Sequence, residues 1–217
     1  NFYQTRAMSR EECLRAVKKG ASLAREFAQK GYGVIAAGEM SIGNTTTAGA
    51  VASVLLDLPP RLVTGKGAGL SPAGLERKIQ VIERSVARLQ PDREDALDVL
   101  SKVGGLDIAG MCGAFLGGAQ AGIPVIIDGV ISAVAALCAA KLCPQSKKYM
   151  IASHLSGEPA AKYVLDSLGF AAPIRADMAL GEGTGAVALL PLLDMAYAVF
   201  REMICFSQTD IEEYKPL

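Results

Sequence analysis

Val34-Ile35-Ala36-Ala37-Gly38-Glu39-Met40-Ser41-Ile42-Gly43-Asn44-Thr45-Thr46-Thr47 is the stretch on which the reading of the fold turns. Residues 34–37 are apolar, too few for a helix, and flanked by glycines, as in a buried parallel strand. A turn rich in Gly and Thr follows, and an apolar helix is expected over 48–56. Strand, turn and helix in that order form an anion site, because the turn's N–H groups and the helix dipole point at the ligand. Asn44, Thr45 and Thr46 add side-chain donors suited to phosphate. A helix cap needs one polar residue, whereas four stand in a row here beside two glycines. The GxxxxGK[ST] pattern is absent, so this is not the P-loop of an ATPase.

Outward from this unit, strands are expected at 62–64, 125–127 and 150–152, each followed by a helix. That βα alternation predicts an α/β fold, Rossmann-like, with a mainly parallel sheet and helices on both faces. Ser9-Arg10-Glu11-Glu12 is a capping box that opens a helix closed by Gly31. Ser71 and Pro72 are N-cap and first residue of another, running to about 89. Helices are expected at 95–103, 111–122, 132–141 and 159–168, with the glycine-rich stretch 104–110 as a break. Residues 177–180 read as extended. The last helix is placed at 191–206, with a loosely held polar tail over 208–217. The chain divides accordingly into a helical segment 1–32, an α/β catalytic domain 33–190 and a C-terminal helix and tail 191–217. The outer parts belong to a small helical domain.

Among 217 residues, Lys plus Arg and Asp plus Glu number 22 each, and no basic stripe is present, which argues against nucleic acid as a partner. Charges, Gly and Pro interrupt every apolar run short of the roughly 18 residues a bilayer span needs. No secretory leader is visible, and the start at Asn1 reads as the middle of a longer chain. Five cysteines without CxxC spacing are poor material for disulfides or thiolate zinc, and Cys112 and Cys138 read as core residues. A reduced, cytoplasmic protein is expected.

The strand ends place Glu39, Gly65-Lys66-Gly67, Asp128 and Ser153-His154 along one edge of the sheet, where open α/β sheets bind ligands. Leu180-Gly181-Glu182-Gly183-Thr184-Gly185 sets a carboxylate among glycines, which by itself reads as a helix-start loop with Glu182 at the positive end of the next helix, and as a rigid pocket rim in the second reading. His154 is the only histidine in the chain. It reads as a residue that holds its loop by hydrogen bonds, with hydrolase chemistry as the second reading. Lys78, on the helix that Ser71 and Pro72 open, reads by itself as a solvated surface charge.

Four blocks carry a family resemblance: Gly38–Thr46, Asp98–Gly105, Val125–Gly129 and Leu180–Gly185. In this order they are similar to the nicotinate-nucleotide–dimethylbenzimidazole phosphoribosyltransferase family, over essentially the whole chain. The resemblance implies transfer of the 5-phosphoribosyl group of nicotinate mononucleotide to 5,6-dimethylbenzimidazole or a related aromatic base. The products are α-ribazole 5′-phosphate and nicotinate, in assembly of the cobalamin nucleotide loop. It implies Glu182 as catalytic base, with Glu39 and Lys78 in the same active site. Substrate contacts are implied at Gly43, Asn44, Thr45, Gly67, Gly69, Ser156, Gly181 and Gly183. A homodimer is implied, and no cofactor or metal. The family chain is longer at its N-terminus, and Ser41 and Thr47 stand where relatives often carry smaller residues. Two other readings are a non-catalytic nucleotide-binding subunit and a phosphate-ester hydrolase using His154. In the transfer reaction an azole nitrogen loses its proton as the other attacks the anomeric carbon, which calls for a carboxylate within hydrogen-bond reach. A glycine-lined, partly desolvated pocket around Glu182 would make it a better base.

Overall fold

A computed structural model describes residues 1–210 and Glu212. Three strands, β1 (Ile35–Ala37), β2 (Val125–Ile127) and β3 (Met150–Ala152), form a parallel sheet in the order β1-β2-β3, with Ile35 opposite Val125 and Val125 opposite Met150. β2 is buried on both faces, as parallel strands are. Its side chains alternate between two cores. Val125 and Ile127 face the main core, and Ile126 faces a smaller one with Ala186 and Leu189. Helices thus cover both faces, as the βα alternation requires.

The main core is built from α1 (Arg10–Gln29), α2 (Asn44–Leu56), α5 (Ala96–Val103), α6 (Leu106–Ala121), α7 (Val130–Leu142) and α8 (Ala160–Leu168). The capping box at Ser9 forms, with Glu12 N–H donating to Ser9 Oγ at 3.1 Å and Ser9 N–H to Glu12 Oε2 at 2.8 Å. α1 and α6 pack backbone to backbone. A Cβ on Gly113 would lie 1.9 Å from Val17 O, and one on Gly20 1.8 Å from Gly110 O. Only glycine permits that approach. Cys13, Cys112 and Cys138 are fully buried in this core.

Several expected elements differ. The strand expected at 62–64 is helical: α3 spans Pro60–Val63. Pro59 and Pro60 set φ for a helix start, and Pro60 takes the first turn, where a missing N–H costs nothing. Three strands therefore form the sheet among the described residues. α2 begins at Asn44, so the polar run 44–47 is the first turn of the helix. α6 begins at Leu106, since Gly104 and Gly105 suffice to separate it from α5. Asp177 has φ of 47°, a left-handed turn inside the stretch expected to be extended.

The last helix, α9, runs Thr184–Glu202 with Pro191 inside it, not 191–206. The expected boundary at 190/191 falls within this helix. Its 19 residues are also long and apolar enough, by length and composition, to cross a membrane, which overturns the expectation of no such run. Pro191, read as an interruption, leaves the helix continuous, and Asp194 is the only charge before its last turn. Its first turns pack on the sheet through Gly185, Ala186 and Leu189, while Phe200 and Met203 are exposed. A 3-10 turn at Phe206–Gln208 follows. The tail expected to be loosely held lies, at 211 and 213–217, outside the described residues.

Candidate active site

The strand ends and helix starts surround a cleft of about 220 Å³. Glu39, Asn44, Thr45, Gly67, Ser156, Gly181 and Glu182 all line it, together with Asp128, His154 and Glu158. Of the residues expected in the site, Gly43, Gly69, Gly183 and Lys78 do not reach its surface. Gly43 is the N-cap of α2, Gly183 lies behind Glu182, and Gly69 is exposed at the far end of its loop.

The Gly181-Glu182-Gly183 turn is left-handed at all three residues, with φ of 76°, 59° and 80°. Glycines carry this without cost, whereas Glu182 is strained and persists only because its surroundings hold it. Those surroundings are specific. Glu182 N–H donates to Glu39 O at 3.2 Å. Asp128, 2 % exposed at the end of β2, accepts the Gly183 N–H and the Ala186 N–H, each at 3.0 Å. Gly183 is the N-cap of α9 and has no side chain to accept those donors. Asp128 supplies the cap from another element, and its charge complements the helix N-terminus. Gly38 lies so close that a Cβ there would meet Gly183 N at 2.0 Å.

Glu39 and Glu182 are therefore adjacent, but in different settings. Glu182 is exposed, contrary to the partly desolvated pocket expected for it, because the turn projects it from the cleft rim. Glu39 is the half-buried carboxyl. Burial raises its pKa to about 7, helped by the charges of Asp107, Asp128 and Glu182 and opposed by a hydrogen bond from Asn44 Nδ2.

At the other wall, α2 begins on Gly43 without a side-chain cap, and the polar residues of its first turn have separate tasks. Asn44 holds Glu39, Thr47 Oγ1 donates to Asn44 O, and Thr45 Oγ1 accepts from Lys78 Nζ at 2.8 Å. Lys78, 6 % exposed on α4 (Pro72–Leu89), also donates to Gly65 O at 2.9 Å. It is not the solvated surface charge expected from the sequence. Burial lowers its pKa, and Glu158 acts in the opposite direction. The Gly65–Gly69 loop folds against α2, such that a Cβ on Gly67 would lie 2.7 Å from Thr45 Oγ1. Glu158 Oε1 accepts the Gly67 N–H at 3.0 Å.

His154 is buried at the floor, 3.0 Å from Ser153 Oγ, and its backbone pairs with Ile174, which ties down the 153–156 loop. Burial lowers its pKa, against the pull of Asp128. Ser153 is fully buried, with its hydroxyl 2.6 Å from Ile127 O and 3.1 Å from Asp128 O. It is no nucleophile facing the cleft, and the pair holds structure rather than forming a hydrolytic dyad.

The sequence put Asp128 at the ligand-binding edge without a task of its own, and gave Glu158, a few residues past His154, no place in the site. Asp-Gly after the clearest strand was the available signal for Asp128. The cleft has the start of α2 and glycine turns on one side, with the buried Lys78 behind them, and two carboxyls on the other, an arrangement of an α/β protein that can receive an anion beside an acid–base group. The sequence family described as Phosphoribosyltransferase matches residues 1–211, and the chain belongs to this family. It is 44% identical over 216 residues to a nicotinate-nucleotide–dimethylbenzimidazole phosphoribosyltransferase of Acetivibrio thermocellus, and 45% identical over 217 residues to one of Clostridium acetobutylicum. Both alignments take in 100% of this chain and 62% of the relative, so the chain spans a little under two thirds of these proteins. Among solved structures, the nicotinate-nucleotide–dimethylbenzimidazole phosphoribosyltransferase from Thermus thermophilus superposes with a TM-score of 0.90 at 39% identity, covering 99% of this chain and 63% of that one. A structure described as CobT from the same organism gives 0.88 at 42% identity, covering 92% and 60%.

Proposed function

We propose that this chain carries the phosphoribosyl-transfer site of an enzyme that moves the 5-phosphoribosyl group of nicotinate mononucleotide to 5,6-dimethylbenzimidazole or a related aromatic base. The products are α-ribazole 5′-phosphate and nicotinate. The observation that carries this reading is the backbone bond from Glu182 to Glu39 O, which sets two carboxyls side by side on a cleft walled by the start of α2. Family membership and the names of the relatives supply the reaction.

In this reading the 5′-phosphate lies toward Asn44, Thr45 and the Gly67 loop, with Lys78 beneath as the fixed cation. Glu182 is the general base. It takes the proton from one azole nitrogen while the other attacks the anomeric carbon from the face opposite nicotinate. The C1–N bond to nicotinate breaks as the new C1–N bond forms, through an oxocarbenium-like state that nearby carboxylates stabilise. Glu39, with its pKa of about 7, shares the proton load near neutrality. Ser156, Gly181 and Gly183 shape the cleft wall or hold it, and Gly43 and Gly69 let the two loops turn.

The exposed apolar side of α9 reads as a protein interface rather than a bilayer span, because its first turn is bonded to Asp128 and packed on Ile126. A cytoplasmic homodimer is the assembly we propose. Mass spectrometry of the products from nicotinate mononucleotide with a panel of aromatic acceptors tests the reaction. An α-ribosyl phosphate of the acceptor with free nicotinate is the expected result. Ribose phosphate released with no acceptor attached would replace this reading with hydrolysis.

A further inference from the structure

In the phosphate-site reading above, on which this inference rests, the Gly67 N–H and the Lys78 ammonium belong to the ligand. In the structure the Gly67 N–H already answers to an anion of the protein itself, and the same anion acts on Lys78 from beyond ion-pair distance. Glu158 Oε1 takes the Gly67 N–H at 3.0 Å, and Glu158 is the charged group whose field acts on Lys78. Among the described residues no carboxylate lies within ion-pair distance of Lys78, although its ammonium is nearly buried. Glu158 itself is half-buried and lines the cleft just before α8, reached from Ser156 across one exposed glycine. Its other oxygen crowds Gly65, where a Cβ would lie 2.2 Å from Oε2. The carboxylate thus sits against the glycine loop, on the side where a phosphate would meet it.

We infer that Glu158 is a resident anion of the phosphate site. It holds the Gly65–Gly69 loop in its binding shape while the site is empty and gives up the Gly67 N–H when a phosphate enters. The physical reason is charge. A buried ammonium and the Gly67 N–H are better served with an anion nearby, and a carboxylate is the weaker, monovalent substitute for a phosphate dianion. Left in place beside a bound phosphate it would repel it, since like charges a few ångströms apart at a partly desolvated site oppose one another. Glu158 therefore sets a threshold. Ligands with a full phosphate displace it, and monoanionic carboxylate analogues do not.

Glu158→Gln separates this role from a simple latch, because the glutamine carbonyl still accepts the Gly67 N–H while the charge is gone. Isothermal titration with nicotinate mononucleotide and with inorganic phosphate is the measurement, on the full chain. Both are expected to bind the variant roughly tenfold more tightly than the wild type. Glu158→Asp, one methylene shorter, withdraws the carboxylate from Gly67 and is expected to tighten binding by a smaller factor. It keeps the test decisive if the glutamine variant does not fold. Unchanged affinity in the folded variant would reduce Glu158 to a latch, and weaker nucleotide binding would make it a contact to the ribose. Either result overturns the inference. Wild-type protein that forms the phosphoribosyl product yet shows no change on substitution sinks this inference alone, whereas wild-type protein that binds neither probe sinks the site reading with it.

Discussion

Asp128 Oδ2 accepts the N–H of Gly183 at 3.0 Å, so the carboxylate that ends β2 also caps α9 and fixes the turn bearing Glu182. Because Oδ1 takes the Ala186 N–H as well, removing this side chain leaves two buried donors without a partner. Asp128→Ala is expected to lower unfolding stability by about 3 kcal/mol, read from denaturant midpoints. Product formation should fall with it, since the turn at Glu182 loses its anchor. Unaltered turnover in a folded Asp128→Ala protein would show that the turn holds its shape alone.

Glu182→Gln removes the proposed base but keeps its size. Binding of nicotinate mononucleotide should persist, with turnover lower by about 100-fold or more toward a benzimidazole. Chromatographic quantitation of nicotinate release gives the rate, and near-normal release would transfer the role of base to Glu39.

Gly38→Ala introduces a Cβ into backbone, 2.0 Å from Gly183 N. No side-chain rotation relieves this, so the two segments of the site must separate. A loss of about 3 kcal/mol and of most activity is expected, by thermal melting and by product assay.

Lys78→Met retains the aliphatic stem and deletes the ammonium that joins Thr45 Oγ1 to Gly65 O. Affinity for nicotinate mononucleotide should drop roughly 10- to 100-fold in calorimetry. An unchanged dissociation constant would place the phosphate elsewhere.

Glu39 gives the protein a pH signature. Its carboxyl is raised from 4.5 to about 7, chiefly by burial, so the folded protein binds a proton that the unfolded chain releases at lower pH. The stability this proton contributes is complete below about pH 4.5 and is lost as pH rises through about 7. Melting temperature should therefore decline between about pH 5 and 8 in the wild type, with a shallower decline in Glu39→Gln. Parallel curves for the two proteins would rule out Glu39 as the titrating group.

The sheet was legible where short apolar runs met glycine or proline, at 34–37, 125–127 and 150–152. Residues 62–64 have the same look, and only the proline pair before them tells helix from strand. Pro191 misled in the opposite sense, since a proline read as a helix start lies inside α9. The cleft residues were legible as strand-end loops and by family likeness. What could not be read was how they are tied together. The bonds from Gly183 to Asp128 and from Gly67 to Glu158 join positions 55 and 91 residues apart, and no local pattern encodes them. Burial sorted the two glutamates in the same way. Flanking glycines singled out Glu182, while the desolvated carboxyl is Glu39, whose cover comes from distant elements.

The backbone contact between α1 and α6 has a mechanical meaning. Where a glycine on one helix meets a carbonyl of the other, neither can rotate or slide without a collision, so the pair is locked in phase. α6 carries Asp107 in its first turn and leads into β2 at its far end. Inserting or deleting one residue in α6 would shift one end against the other by about 1.5 Å and turn it by roughly 100°. Helix length is thus a calibrated spacer here, and the distance from the field around Glu39 to the strand that leads into Asp128 is counted out in residues.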